Sequence, residues 1–180
     1  WNERLFPSLS DCLKRLRTTK RELWVRNQND QDFLSVRLGV GKRPFEVEIR
    51  IPQEAFSLED DELKKMPEML REKYQTLRGV PVVLSLQEHS VVGVVGDGAH
   101  LYPMADQLLS QLVYHYSPRD LKLVIIGRDA SLFRWLLNVP HMWSADRRLR
   151  FRACDKQEVR EIFEWIEQEI AQRQEQETED

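Results

Sequence analysis

Hydrophobic and polar residues repeat with different periods along the chain, and the change of period separates predicted helices from predicted strands. The clearest helical repeat spaces its apolar residues three to four positions apart between residues 101 and 116. Its members are Leu101, Met104, Leu108, Leu112 and Tyr116. A second helix is predicted after Asp155, its expected cap, with Glu158 at the third position. The apolar face of that helix consists of Val159, Ile162, Phe163, Ile166 and Ile170.

Shorter apolar runs in the second half of the chain predict strands. Residues 80–86 and 90–95 are rich in valine, and the second run lacks polar alternation, which is typical of a buried strand. Another buried strand is predicted at residues 121–126, followed by a short helix at 131–137 and a weak strand near 149–153. Because strands alternate with helices, the pattern predicts parallel strands joined by crossover helices.

The N-terminal residues combine a broken leucine stripe with a strong positive charge. Leucines recur over residues 8–26 with helical spacing, and Ser8 or Ser10 stands where a cap is expected. Residues 1–26 carry seven basic side chains against three acidic ones, whereas residues 155–180 carry three against ten. This asymmetry favours a negatively charged neighbour for the N-terminal helix, such as a bilayer surface, or else a solvated charged helix.

Between the N-terminal helix and the valine-rich runs, the pattern predicts a hairpin and two helices. Apolar and polar residues partly alternate over residues 33–38 and 45–51, and the glycine-containing stretch 39–44 between them predicts the turn. A helix is predicted at residues 57–66. A second helix begins at the proline that follows and ends at Gly79.

Length and composition indicate one globular domain with a core of its own. The chain has 180 residues, of which 41% are hydrophobic, and no stretch reaches the roughly 20 apolar residues that span a membrane. We therefore expect a water-soluble piece, and we expect it to be a segment of a longer polypeptide. Cys12 and Cys154 are too few for a disulfide framework, and no histidine has the spacing of a metal ligand. The net charge of −3 does not suit a uniformly basic surface for nucleic acid.

A glycine-rich loop between a predicted strand and a predicted helix is the candidate functional site. Gly93 and Gly98 have the spacing of a phosphate-binding loop, in which backbone amides surround the phosphates, a lysine contacts the outer ones and a hydroxyl holds magnesium. Ala99 and His100 occupy the positions of that lysine and hydroxyl. The candidate nucleotide-binding residues are therefore those of a vestigial loop: Gly93, Gly96, Gly98, Ala99 and His100.

This loop is expected to bind phosphate poorly. Loss of the lysine alone is expected to weaken binding by roughly ten- to a hundredfold. A carboxylate at Asp97 that caps the helix would also repel phosphate from the same amides. No catalytic residue, no metal ligand and no cofactor are predicted for this segment.

Segments around the loop resemble the motor domains of FtsK/SpoIIIE-type translocases. Residues 78–86 resemble the lead-in to the phosphate loop, and residues 108–129 resemble the helix, turn and strand that follow it. Residues 138–142 resemble the family's Pro-His-Leu corner, and residues 164–173 its acidic helix ending in arginine. Active motors of this family usually carry Asp-Pro-Lys where this chain has Gly127-Arg128-Asp129.

Two earlier segments resemble the secretion branch of that family. Residues 22–26, Glu-Leu-Trp-Val-Arg, and residues 32–41, Asp-Phe-Leu-Ser-Val-Arg-Leu-Gly-Val-Gly, resemble a signature of EssC/YukB proteins of type VII secretion systems. In that family this stretch lies between the second membrane-spanning helix and the first of the later ATPase domains. The resemblance therefore implies a membrane-proximal, degenerate ATPase-like domain.

The resemblance also implies an architecture and a set of partners. It implies an α/β fold of the P-loop NTPase (RecA/FtsK) type, with a largely parallel sheet flanked by helices and preceded by an N-terminal helix and a β-hairpin. It divides the chain into a stalk-like helix and linker at residues 1–30, the ATPase-like domain at 31–173 and an acidic polar tail at 174–180. It implies a position at the cytoplasmic face of the cell membrane, in a homo-hexamer with other secretion-system membrane components. ATP and magnesium are expected in downstream domains of the parent protein, and small helical-hairpin (WXG-type) proteins are expected as its export substrates.

Three functions are open at this point. The first is a non-catalytic domain that couples the membrane stalk to downstream ATPase domains during protein export. The second is a nucleotide-sensing or weakly active ATP-binding domain, with the missing charge supplied by Lys122, Arg128 or a neighbouring subunit. The third is a DNA-translocase module that uses the basic residues 14–26, although the overall acidity counts against it and no nucleic acid is expected.

Overall fold

A computed structural model describes residues 6–8, 10–12, 14, 23–45, 66, 69–70, 75–129 and 131–179, with side chains to residue 175. Its main elements, in chain order, are the strands β1 (Ser35–Pro44) and β2 (Thr76–Ser85), the helix α1 (Gly98–His115), the strands β3 (Ile125–Ile126) and β4 (Arg152–Ala153) and the helix α2 (Lys156–Glu179). Two turns of 3-10 helix, Arg134–Asn138 and Pro140–Met142, lie between β3 and β4. In the part of the chain described, no helix combines the length and hydrophobicity needed to cross a bilayer.

The hairpin turn predicted at residues 39–44 is wrong. These residues continue β1, which pairs antiparallel with β2 along its whole length. Gly41 permits close approach of the two strands, because a Cβ at this position would lie 2.7 Å from Val82 Cγ2. The alternating pattern therefore identified a strand, and Gly41, one of the glycines that suggested a turn, serves the packing of that strand.

The end of the second predicted helix is also wrong, since residues 76–79 belong to β2. Gly79 is the extra residue where the register shifts between Gly41 and Lys42, and its φ is +70°. A bulge with a left-handed residue is most readily formed by glycine. The strand predicted at residues 80–86 is confirmed.

The helix predicted at residues 101–116 is confirmed as α1, which begins earlier, at Gly98. After α1 the chain forms a short parallel pair in which Ile125 of β3 lies opposite Arg152 of β4. The predicted strands at 121–126 and 149–153 thus exist, but each is reduced to two residues. The short helix predicted between them forms 3-10 turns.

The buried strand predicted at residues 90–95 is wrong. Residues 91–95 form neither strand nor helix, and Val91 and Val95 are 91% and 99% exposed. Within the described ranges no other strand pairs with them, so there is no sheet face on which these valines could be buried. The described fold is α/β, with an antiparallel ribbon and a two-residue parallel pair in place of the predicted largely parallel sheet.

One apolar core joins the ribbon, α1 and the 3-10 turns. Phe33, just before β1, packs edge-on against the Tyr116 ring with 5.3 Å between the ring centroids. The buried members of this core are Val36, Leu112, Tyr116, Leu123, Leu136 and Met142. The core therefore holds the segment before β1 against the end of α1.

Several predictions fall on parts of the chain outside the described residues. These are the second hairpin strand at 46–51, most of both helices predicted between 57 and 79, and residues 15–22 of the helix predicted at residues 8–26. The predicted end of that last helix is wrong, because residues 23–26 form a turn and a single bridge between Arg26 and Tyr116. At the start of that helix, Ser8 Oγ accepts a hydrogen bond from the backbone N–H of Asp11 at 3.2 Å, which confirms Ser8 as a cap.

Candidate functional site

The glycine-rich loop lies on the surface at the start of α1. All of residues 91–100 are exposed. A Cβ on Gly93 or Gly96 would meet no atom within 4 Å, and neither glycine has a positive φ. A phosphate-binding loop follows a strand and precedes a helix. In this structure the helix forms, but residues 91–95 before the loop do not form a strand.

Asp97 occupies the N-terminal end of α1. Its Oδ1 accepts a hydrogen bond from the backbone N–H of His100 at 3.1 Å and lies 2.6 Å from His100 Nδ1. Its backbone carbonyl accepts the N–H of Leu101 at 2.9 Å. The expected self-cap is therefore confirmed. A carboxylate already interacts with the positive end of the helix, and its charge opposes the approach of a phosphate to the same amides.

Lys122 was one candidate to replace the lysine missing at Ala99. Its Nζ donates a hydrogen bond to the backbone carbonyl of Trp143 at 2.9 Å. Burial lowers the pKa of Lys122. The Lys122 ammonium group thus binds a backbone carbonyl that lies between the 3-10 turns and β4.

A pocket of about 290 Å³ lies at the carboxyl ends of β3 and β4, beside the start of α2. Ligands of α/β proteins commonly bind at this end of parallel strands. The pocket walls are largely apolar, with Ile126 and Val159 among the lining residues, and Arg128 and Lys156 are exposed cations at its edge. Asp129 accepts the N–H of Ser131 at 2.7 Å, and hydrogen bonds from Ser131 lower the pKa of this carboxyl. Among the described residues, no three His, Cys, Asp or Glu side chains converge as a metal site requires.

The segment that resembles the secretion signature is joined to the end of α1 by backbone hydrogen bonds. The N–H of Trp24 donates to Tyr114 O at 3.1 Å, and the N–H of Arg26 donates to His115 O at 3.2 Å. The Trp24 indole Nε1 donates to Val113 O at 3.1 Å. Three carbonyls at the C-terminal end of α1, which lack partners inside the helix, are satisfied in this way.

Arg26 and its contacts form a buried polar cluster next to this attachment. Arg26 is 8% exposed, and its Nη2 lies 3.2 Å from Asp32 Oδ2, while its Nη1 donates to Ser35 O at 3.4 Å. The guanidinium carbon lies 5.0 Å from the centre of the Phe6 ring. The Tyr116 hydroxyl donates to Asp32 O at 3.2 Å, and burial raises the pKa of Tyr116. The signature residues therefore have a structural function that their spacing did not reveal, because this pairing follows no helix or strand period.

Gln111 makes a second connection that the sequence pattern did not indicate. Its Oε1 accepts the backbone N–H of Arg37 at 2.8 Å, and its Nε2 donates to the Arg37 carbonyl at 2.9 Å. The register of β1 shifts between Arg37 and Gly39, so this amide satisfies backbone groups where the ladder is irregular. The side chain links α1 to β1.

His141 belongs to the corner that resembles the family's Pro-His-Leu motif. It is fully buried, and its Nε2 donates to the Tyr116 carbonyl at 2.8 Å, which fixes the neutral tautomer with the proton on Nε2. Burial lowers the pKa of His141. Its Nδ1 has no hydrogen-bond partner, and its ring lies 6.2 Å from that of Trp24. This histidine therefore connects the corner to both the end of α1 and the secretion-type signature.

Comparisons with known proteins find similarity to ESX secretion system proteins. No family model matches the chain. The ESX secretion system protein EccC of Geobacillus thermodenitrificans is 26% identical over 139 residues, which is 76% of this chain and 9% of that protein. EccC of Thermomonospora curvata is 29% identical over 123 residues, or 66% of this chain and 9% of that protein. YukB of Bacillus subtilis is 26% identical over 147 residues, or 77% of this chain and 10% of that protein.

The chain thus spans about a tenth of the length of these curated relatives. The matches cover two thirds to three quarters of the chain, and they agree with the resemblance of residues 22–26 and 32–41 to the secretion branch. The chain is therefore similar to the EccC and YukB proteins of ESX secretion systems.

Proposed function

We propose that this chain is a non-catalytic, ATPase-like domain of a type VII secretion translocase, and that it couples a membrane stalk to downstream ATPase domains during protein export. The parent protein would be the ATP-driven translocase, with ATP and magnesium bound in those downstream domains. The homology to ESX secretion proteins supports a role in protein secretion.

The absence of catalysis is supported mainly by the start of α1. Ala99 and His100 cannot supply the lysine and the magnesium ligand of a phosphate loop. The Asp97 carboxylate caps the same helix end at 3.1 Å from the His100 amide, so a phosphate would compete with a fixed negative charge. This cap is the observation that carries the proposal, because it opposes nucleotide binding even if a cation were supplied from another subunit.

The coupling role is supported by the attachment of the signature segment. Residues 23–26 belong to the end of the predicted stalk segment, and they are bound to carbonyls at the end of α1 through Trp24 and Arg26. Arg26 and Gln111 then connect α1 to the segment before β1 and to β1 itself. A displacement of residues 23–26 would therefore be transmitted to α1 through these hydrogen bonds.

In the parent protein, the proposed neighbours are other subunits of a homo-hexamer and other secretion-system membrane components at the cytoplasmic face of the membrane. Small helical-hairpin (WXG-type) proteins are the proposed export substrates of the parent protein.

A titration of the chain with a fluorescent ATP analogue and magnesium tests the catalytic part of the proposal. We expect no binding at micromolar nucleotide and no turnover for the natural sequence. Binding at micromolar nucleotide with hydrolysis would overturn the proposal in favour of an active or nucleotide-sensing domain.

Two variants test which residues of the loop oppose nucleotide binding. Ala99→Lys restores the cation, and adding Asp97→Asn removes the opposing charge while retaining a side chain that can cap α1. We expect a gain of roughly ten- to a hundredfold in nucleotide affinity from the lysine, and a further gain from the second change. No gain from either variant would instead indicate that these residues do not form a vestigial phosphate loop.

A further inference from the structure

Residues 91–95, called here the valine segment, place four exposed valines around one glycine. Val91 and Val95 are 91% and 99% exposed, and Val92 and Val94 are 40% and 37% exposed. Scattered apolar residues on a surface need no explanation, but a contiguous apolar stretch is typical of an interaction site. The valine segment is therefore a candidate interface.

The backbone of the valine segment has no strand partner within the described ranges. Residues 90–96 make no backbone hydrogen bond to the described part of the chain. Neither Gly93 nor Gly96 has a positive φ, so both glycines have the sign of φ that a strand requires. Valine favours strands, and residues 90–96 include no charged residue and no proline. An unpaired stretch of this composition is a template for the addition of another strand.

The sequence of the valine segment reads the same in both directions. Val-Val-Gly-Val-Val is symmetric about Gly93. If two copies are aligned antiparallel with their Gly93 residues opposite each other, Val91 faces Val95 of the other copy and Val92 faces Val94. Every valine then meets a valine, and β-branched pairs across neighbouring strands stabilise a sheet. A contact between identical chains about a two-fold axis requires a self-complementary surface of this kind.

The residues on either side of the valine segment fit the same alignment. His89 stands opposite Asp97 of the other copy, and the two-fold symmetry forms this pair twice. Both side chains are exposed, and a histidine ring N–H can donate to a carboxylate. His100 Nδ1 lies 2.6 Å from Asp97 Oδ1, so Asp97 Oδ2 can accept from the second histidine. A polar pair therefore borders the valine pairs at each end of the contact.

Other alignments of two valine segments are less favourable. In a parallel pair in register, Asp97 would face Asp97 of the other copy, and like charges directly opposite each other are destabilising. If the antiparallel pair is shifted by one residue in either direction, Gly93 faces a valine, and the valine pairs fall from four to two. The antiparallel alignment centred on Gly93 is therefore the favoured one.

We propose that residues 89–97 form an antiparallel strand pair with the same residues of a second copy of this chain, about a two-fold axis at Gly93. The contact is small and therefore weak, so the dilute chain is monomeric. A two-fold contact joins copies in pairs, and it differs from the head-to-tail interface that closes a ring of six. The contact goes beyond the proposed function and is measured without nucleotide, so nucleotide hydrolysis would overturn the proposed function alone.

Disulfide trapping in the whole chain tests the alignment. Gly93→Cys is compared with Gly96→Cys, because a Cβ at either position would meet no atom within 4 Å, and Cys154→Ser removes the exposed native thiol from both variants. In the proposed pair the two residues 93 lie opposite each other, whereas the two residues 96 are about 20 Å apart along the strands. Under mild oxidation, the linked dimer should form at least about fivefold faster for Gly93→Cys, because a disulfide requires closely spaced Cα atoms.

Charged substitutions at the two most exposed valines supply the second measurement. Val91→Lys with Val95→Lys places lysines opposite lysines, and Val91→Glu with Val95→Glu places glutamates opposite glutamates, so each double variant alone should be monomeric. In an equal mixture every lysine faces a glutamate, and association should be at least about tenfold stronger than for either variant alone. Sedimentation equilibrium measures association, and circular dichroism checks that each variant is folded. Val40→Lys, at a position of β1 that is 61% exposed, should associate like the natural sequence.

Three results would overturn the proposal. Equal rates of trapping at positions 93 and 96 would show that the chains meet only by random collision. A natural sequence that stays monomeric at the highest concentration reached, with no association in the mixture of lysine and glutamate variants, would assign the valine segment to an occupant other than a second copy. Species of the natural sequence that grow beyond dimers would show open-ended strand addition in place of a closed pair.

Discussion

Single side chains with two bonding groups join segments of this chain that are far apart in sequence. Gln111 of α1 pairs with the backbone of Arg37, and Arg26 binds both Asp32 and the carbonyl of Ser35. His141 connects the corner to the end of α1. Each of these three side chains is buried, so water replaces a lost bond only incompletely.

The first prediction at this scale concerns Gln111. Gln111→Ala leaves the N–H and carbonyl of Arg37 without their side-chain partners at an irregular point of β1. The expected loss in the free energy of unfolding is about 1–3 kcal/mol, the usual cost of unsatisfied buried polar groups. Urea denaturation measures it. Gln168→Ala, an exposed change on α2, is the control, and equal losses for the two variants would contradict the assigned bonds.

The second prediction concerns the pH dependence of stability through His141. Burial lowers its pKa in the folded protein, so the unfolded state binds the proton more readily. The stabilisation associated with neutral His141 is complete above the ordinary pKa of 6.5 and is lost as the pH falls through the lowered folded value. The free energy of unfolding should therefore decrease as the pH falls below about 6.5.

Denaturant unfolding at a series of pH values checks this slope. His141→Gln should reduce the slope below pH 6.5, because a titrating group is removed. His89→Gln, at an exposed position, serves as the control and should retain the slope of the natural sequence. If both variants keep the same slope, another group is responsible.

At the scale of secondary-structure elements, caps and glycines determine where helices and strands begin and bend. Asp155 Oδ1 accepts the N–H groups of Gln157 and Glu158, both at 2.9 Å, and Glu158 Oε2 accepts the N–H of Cys154 at 2.6 Å. The Asp155 bonds are those that a cap followed three positions later by Glu predicts, whereas Glu158 binds the amide of the residue before the cap and not that of the cap itself. The start of α2 is therefore determined locally.

The third prediction follows from that cap. Asp155→Ala removes the acceptor for two amides at the start of α2 and should cost about 0.5–2 kcal/mol of stability. Thermal unfolding followed by circular dichroism measures the change. Gln172→Ala, an exposed substitution far along the same helix, should have little effect, and a similar loss there would argue against the cap as the cause.

At the scale of the whole molecule, the described residues from the signature segment to the 3-10 turns share one core, and α2 is attached to it through β4 and Phe151. The Arg26 cluster lies where the signature segment, the start of β1 and the end of α1 meet. Loss of the Arg26 cluster should therefore destabilise the signature segment, the start of β1 and the end of α1 together.

The fourth prediction tests this. Arg26→Met keeps much of the side-chain volume but leaves Asp32 without its cation and Ser35 without its donor. We expect a loss of about 1–3 kcal/mol, because the Asp32 carboxylate is partly reached by solvent. Hydrogen exchange should show faster exchange at Trp24 and at the start of β1. Arg119→Met, at an exposed position after α1, is the control.

How much of this structure could be predicted from the sequence depends on how far apart in sequence the interacting residues are. The apolar repeat of α1 and the caps at Ser8, Asp97 and Asp155 act within a few residues, and the pattern identified all of them. The family resemblance, which also depends on short motifs, agrees with the ESX relatives.

Sequence alone thus determined α1 and α2, their starting caps and the similarity of the chain to ESX secretion system proteins. Tertiary structure decided the partner of β1, because pairing with β2 depends on contacts between residues distant in sequence and on the fit of Gly41 against Val82. It also decided that Val91 and Val95 remain exposed, since a valine run is buried only where a neighbouring strand covers it. The hydrogen bonds of Gln111 and Arg26 were also decided by the tertiary structure, because no periodicity in the sequence specifies which distant backbone group a buried side chain will bind.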